Sequence, residues 1–106
     1  MIKTAAILFS LLVICFCLAA QQNNNWYFGQ RAGISFTNPM TQQPLTASLQ
    51  DGMMIADEGS SSISDSTGKL LFYTNGVTVY NRLHQVMLSG DNLKGNISSC
   101  QSAIIV

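Results

Sequence analysis

His84 is the one histidine in the chain, so acid–base chemistry near neutral pH would be organised around it. Set beside Asp65 or Asp57 and one of the many serines, it could form a Ser-His-Asp triad. There the imidazole takes the hydroxyl proton and the carboxylate orients the ring. The chain has no G-x-S-x-G elbow to present such a serine. A zinc site needs three or four ligands, and His84 with Cys100 supplies two. One imidazole without arranged partners does little, so a histidine serving a turn or the packing is the reading these residues support.

The other chemistry-bearing residues have similarly plain readings. Asp65-Ser66-Thr67-Gly68 has one residue too many for the Asp-Thr-Gly of aspartic proteases, and two residues between Asp and Gly where a sialidase Asp-box has one. A type I turn accounts for all four positions. Asp51 and Asp57-Glu58 could hold calcium, but they lack the ligand-every-second-residue spacing of an EF-hand and read as solvated loop carboxylates. Trp26, Tyr27 and Phe28 could stack on a sugar, although filling a seam between β layers uses their burial more fully. No residue is thereby assigned to a catalytic, cofactor-binding or metal site, and no cofactor is expected.

The elements that would position these residues are strands. From Ile63 to Met87 the sequence places three turn signals among short β-type runs. Ser61–Ser64 forms a strand, and Asp65–Gly68 turns the chain. Lys69–Thr74 and Val77–Asn81 flank Asn75-Gly76, a strong two-residue hairpin signal. That loop predicts Thr74 opposite Val77, Tyr73 opposite Thr78, Phe72 opposite Val79, Leu71 opposite Tyr80 and Leu70 opposite Asn81. Both faces of the ribbon then carry large apolar pairs, so protein layers should cover it above and below. Asn81–His84 turns again and Gln85–Leu88 returns as a strand. Four antiparallel strands in about 30 residues suit one blade of a β-propeller or one sheet of a sandwich.

Upstream, Trp26–Phe28 and Ile34–Phe36 read as strands, with Asn23–Asn25 a loosely attached lead. Asn38-Pro39 and Gln43-Pro44 bracket a loop. Asp51-Gly52 marks a turn, Met53–Ile55 a brief strand and Asp57–Gly59 a loop. Ser89–Asn96 is a linker, and Ser102–Val106 starts a new apolar strand. No helix of consequence is expected after the first twenty residues.

Those residues, Met1–Ala20, read as a signal-peptide helix: Lys3 in the n-region, an apolar run from Ala5 to Cys17, and cleavage after Ala19 or Ala20. The run is shorter than the roughly 20 residues of a spanning helix, so no stable membrane span is expected after cleavage. A large residue precedes each of Cys15 and Cys17, against a lipoprotein signal. Five cations balance five anions in the full chain, and loss of Lys3 leaves one net negative charge. Charged residues make up 9% against about 25% in typical domains. Such a chain has no electrostatic footprint for nucleic acid. Cys100 alone outlasts the signal, as a buried thiol or as a partner for sequence elsewhere. Residues 21–106 are too few for a propeller of typically 4–8 blades, so they read as its N-terminal fragment.

Asn25-Trp26-Tyr27-Phe28-Gly29, Ala32-Gly33-Ile34 with Phe36, Glu58-Gly59, Ile63-Ser64-Asp65 and Gly68 through Gly76 carry a family resemblance. It continues through Val79-Tyr80-Asn81-Arg82, His84-Gln85-Val86-Met87 and Gln101 through Val106. In this order the segments resemble the N-terminal region of exported Bacteroidetes surface proteins, which often carry PKD-type domains. Those proteins end in a gliding-motility-associated, type B sorting domain of the type IX secretion system. The resemblance implies an all-β, antiparallel fold forming the opening blades of a WD40/YVTN-like β-propeller, and a secreted or cell-surface location. Ser60 stands where the family pattern has a cysteine, and Cys100 where it has a small hydroxyl residue. Asn96-Ile97-Ser98 fits a glycosylation sequon but carries no information in a bacterial-type protein. The expected role is non-catalytic: binding, scaffolding or adhesion toward an unknown protein or glycan ligand, linked to type IX secretion or gliding. The alternatives are a propeller enzyme, a glycan hydrolase or lactonase, with catalytic residues beyond Val106, and a self-contained small β protein.

Overall fold

A computed structural model describes residues 21–37 and 44–106. The expected signal peptide and the loop from Asn38 to Gln43 lie outside the described residues. Among the described residues six strands form two antiparallel sheets of three. β1 (Asn25–Phe28), β2 (Ala32–Thr37) and β3 (Pro44–Leu49) make the first, in that order. β4 (Ser61–Ser64), β5 (Leu70–Thr74) and β6 (Val79–Asn81) make the second. The described residues contain no helix, and the all-β antiparallel class holds.

β1 alternates as a half-buried strand should: Asn25 and Tyr27 point inward, Trp26 and Phe28 outward. Phe28 pairs with Ala32 across the Gly29–Arg31 turn, where Gly29 and Arg31 have φ of 56° and 62°. The stretch after β3 returns beneath this turn, with Arg31 N–H donating to Met54 O and Ala56 N–H to Gly29 O. Met54 and Ala56 are thereby buried beside Tyr27 and Tyr73, and Leu49, Leu70 and Tyr80 pack against them. The three tyrosines of the chain form one column joining the sheets. Tyr27 stacks on Tyr73 at 4.5 Å, and Tyr73 on Tyr80 at 5.2 Å. Gly33 and Gly52 leave room for the Tyr27 ring, since a Cβ at either position would stand 3.0 Å from its Cδ1.

Several expectations are corrected by this arrangement. The β5–β6 loop has four residues, not two, because Thr74 pairs with Val79, Tyr73 with Tyr80 and Phe72 with Asn81. Side chains close that loop: Asn75 Oδ1 accepts from Val77 N–H and Thr78 N–H, each at 2.9 Å. Thr74 Oγ1 accepts from Gly76 N–H at 3.0 Å and donates to Thr78 O at 2.8 Å. The slip is two residues, so every side chain keeps its face.

The ribbon is not covered on both sides throughout. β5 carries one residue more than β4 between the pairs Ile63–Phe72 and Ser64–Leu70. This bulge re-aims the strand, so that Leu70 packs on the core while Leu71 is 42% exposed. Gln85–Leu88 makes only the bridge Tyr80–Val86. Val79 bonds to both Met87 and Gly90, and Ser89 at φ 58° bends the segment into a loop. Ser102–Val106 forms no ladder and is held by side chains, with Ser102 Oγ donating to Gly59 O at 2.7 Å and Ser61 Oγ to Ala103 O at 2.5 Å. Pro44, expected in a loop, opens β3 opposite Thr37. Met53–Ile55 contributes a single bridge, Gln30–Ile55. The Asn23–Asn25 lead is tied down: Asn24 and Asn25 are buried, and both side-chain amides donate to Gly68 O.

Candidate functional site

The hydroxyls of Tyr27 and Tyr73 enter a closed set of polar contacts. Tyr27 comes from β1, Asp51 from the turn after β3, Tyr73 from β5 and His84 from the turn after β6. Tyr27 O–H donates to Asp51 Oδ1 at 2.8 Å, and His84 Nε2 lies 3.1 Å from Asp51 Oδ2. His84 Nδ1 lies 3.0 Å from the Tyr73 hydroxyl, which also accepts from Met53 N–H at 3.1 Å. One proton arrangement satisfies the whole set: Tyr73 O–H donates to Nδ1, leaving Nε2–H directed at the Asp51 carboxylate.

Burial pushes both phenols above the ordinary tyrosine range, reinforced at Tyr27 by its bond to Asp51. Desolvation disfavours a phenolate, and a neutral phenol is the better donor to a carboxylate. Tyr73 is fully buried. Both imidazole nitrogens are therefore engaged, Nε2 by the Asp51 carboxylate, whose side chain is 55% exposed, and Nδ1 by a hydroxyl that has no access to solvent. The resemblance to an Asp-His-hydroxyl relay is one of composition; in this conformation the set joins strands together.

The structure pairs His84 with Asp51 rather than with Asp65 or Asp57. Asp65 caps its own turn, accepting from Thr67 N–H at 2.8 Å, Thr67 Oγ1–H at 2.7 Å and Lys69 N–H at 3.0 Å. The hydroxyl of Thr67 and then the Lys69 amide hold its carboxyl below the usual carboxylate range. Asp57 meets the Gln30 amide at 3.4 Å. Cys100 is exposed, not buried, and its thiol lies 3.0 Å from Glu58 Oε2. Among the described residues no three His, Cys, Asp or Glu side chains gather at one point. Asn96 Oδ1 caps a turn by accepting from Ser98 N–H at 2.9 Å.

A second region offers open surface. Strands β1 and β4 run side by side, joined by hydroxyls. Ser60 Oγ donates to Tyr27 O at 3.0 Å and Ser62 Oγ to Asn25 O at 2.9 Å, while Asn25 Nδ2 donates to Ser64 Oγ at 2.9 Å. Residues 60, 62 and 64 share one face of an extended chain, and all three meet β1. Along this seam lies a groove of about 480 Å³, bounded by Trp26–Phe28, by Ser60–Ser62 and by Ala103–Ile105. The aromatic strand was legible as a β element, but its outward face gave no sign that a later segment would wall it.

Comparison with family models, curated proteins and solved structures returned no match.

Proposed function

We propose that this chain is a non-catalytic binding or scaffolding module of an exported, cell-surface protein, and that its two sheets are opening blades of a β-propeller. The observation that carries the reading is the contrast between its two polar regions. The Tyr27–Asp51–His84–Tyr73 set has its imidazole nitrogens and its buried hydroxyl committed to the fold, whereas the β1–β4 seam presents aromatic and hydroxyl groups in an open groove. The low charge, with Ser, Thr, Asn and Gln supplying the polar surface, suits an extracellular β protein. Two antiparallel sheets following one another along the chain support the propeller reading, each with three strands where a blade has four, and so does the resemblance to Bacteroidetes surface proteins linked to type IX secretion and gliding. Protease treatment of intact cells tests the location: the protein should be cleaved without lysis. Full protection until the cells are broken overturns the reading.

A further inference from the structure

We propose that the groove along the β1–β4 seam binds a neutral oligosaccharide, an assignment that rests on the binding-module reading above. Among the described residues no charged side chain lines it. A charged ligand entering there would lose hydration with no opposite charge in return. Trp26 and Phe28 stand on the same face of β1, two residues apart, or about 7 Å along the strand. They offer two aromatic platforms for the C–H faces of sugar rings. Trp26 is 51% exposed, yet its ring is braced edge-on by Phe36 at 5.1 Å and 70°. A platform already held in place loses little freedom on binding.

The polar groups suit hydroxyl-bearing rings. Ser61 donates its proton to Ala103 O and keeps lone pairs to accept from a ligand hydroxyl. Asn23, exposed at the rim, supplies both an amide donor and a carbonyl acceptor. Ile104 and Ile105 form the opposite wall of the groove. Its volume of about 480 Å³ falls within the roughly 300–1,000 Å³ of small-ligand sites and accommodates a di- or trisaccharide.

Trp26 is the sole tryptophan, so its emission reports on the groove directly. The whole chain is titrated with cellotriose, laminaritriose and chitotriose, and with trigalacturonate as the charged counterpart; calorimetry is run in parallel. The expected result is a saturable emission change with at least one neutral trisaccharide and none with trigalacturonate. Phe28→Ala should weaken binding about tenfold at an unchanged thermal transition. Ile104→Ala, outside the core, serves as a second variant should Phe28→Ala unfold, and should also weaken binding. Absence of binding by all three neutral sugars up to about 10 mM, a range covering millimolar affinities, overturns the proposal. So does equal binding of trigalacturonate, or affinity untouched by both variants. Protease cleavage on intact cells is scored separately, so a surface protein that ignores sugars loses the ligand assignment alone.

Discussion

Two turns in the second sheet use one hydrogen-bond plan with different residues at all five positions, of which the fourth separates them most. In Asp65–Lys69 and in Asn81–Gln85 the first N–H donates to the fifth carbonyl, at 2.8 Å in each. The fourth N–H returns to the first carbonyl, from Gly68 to Asp65 at 3.0 Å and from His84 to Asn81 at 2.9 Å. In both, Oδ1 of the first residue accepts the third and fifth amides. The fourth residue is left-handed in both, Gly68 at φ 84° and His84 at φ 62°. Glycine takes that conformation freely, whereas histidine there costs about 1–2 kcal/mol. In the first turn the fourth residue needs no side-chain partner to hold its conformation, and the tertiary contacts, from the Asn24 and Asn25 amides, fall on its carbonyl. The second is completed by tertiary contacts, since Tyr73 and Asp51 hold both nitrogens of the strained residue.

Exchange at the fourth position breaks the comparison most severely. Gly68→His should destabilise by about 3 kcal/mol in chemical denaturation, combining left-handed strain with overpacking. A Cβ there would stand 2.5 Å from Gln21 Oε1 and 3.0 Å from Asn24 Nδ2. Tyr73→Phe keeps the ring stack but leaves Met53 N–H without its acceptor, and a loss of about 2 kcal/mol is expected by the same measurement. His84→Gly sharpens the contrast. Alone it should cost about 1 kcal/mol, two lost contacts outweighing the relieved strain, and in the Tyr73→Phe background its cost should fall near zero. A double-mutant cycle returning strict additivity would show that Tyr73 does not stabilise the second turn.

Two pH-dependent effects are smaller. Tyr27 and Tyr73 keep their protons to higher pH when folded than the ordinary 10.0. Their contribution is complete below that value, and stability falls as pH rises beyond it; phenolate absorbance should appear together with unfolding. Asp65 behaves oppositely, because its carboxyl is depressed below the ordinary 3.8. Its contribution is present above that value and is lost as pH falls through the folded one. Asp65→Asn, which copies the first residue of the second turn, should change neutral-pH stability least and remove that acid-side loss from a pH series of denaturation midpoints.

What could be read in advance follows the same division. The Asp65–Gly68 and Asn81–His84 turns, the strand through Trp26–Phe28 and the all-β class rest on neighbours in sequence, and each is found. The β5–β6 register escaped because Thr74 and Asn75 side chains close the loop, which the Asn-Gly signal by itself does not disclose. The partner of His84 escaped because Asp51 is brought to it only by the packing of the two sheets. Asn24 and Asn25 looked like an untethered lead until Gly68 O, more than forty residues away, received their amides. Leu71 faces outward because of a bulge that leaves no mark in the alternation of residues.

Ser60, just before β4, and Ser62 within it have a consequence for how this molecule behaves in company. Asn25 O and Tyr27 O would otherwise line a bare strand margin, the kind that recruits foreign chains into continuous sheets. Capping each carbonyl with a hydroxyl occupies the margin without extending the ladder, so β1 resists templated stacking while Trp26 and Phe28 remain outside. Exposed aromatic rings and an occupied strand margin thus coexist in one short strand.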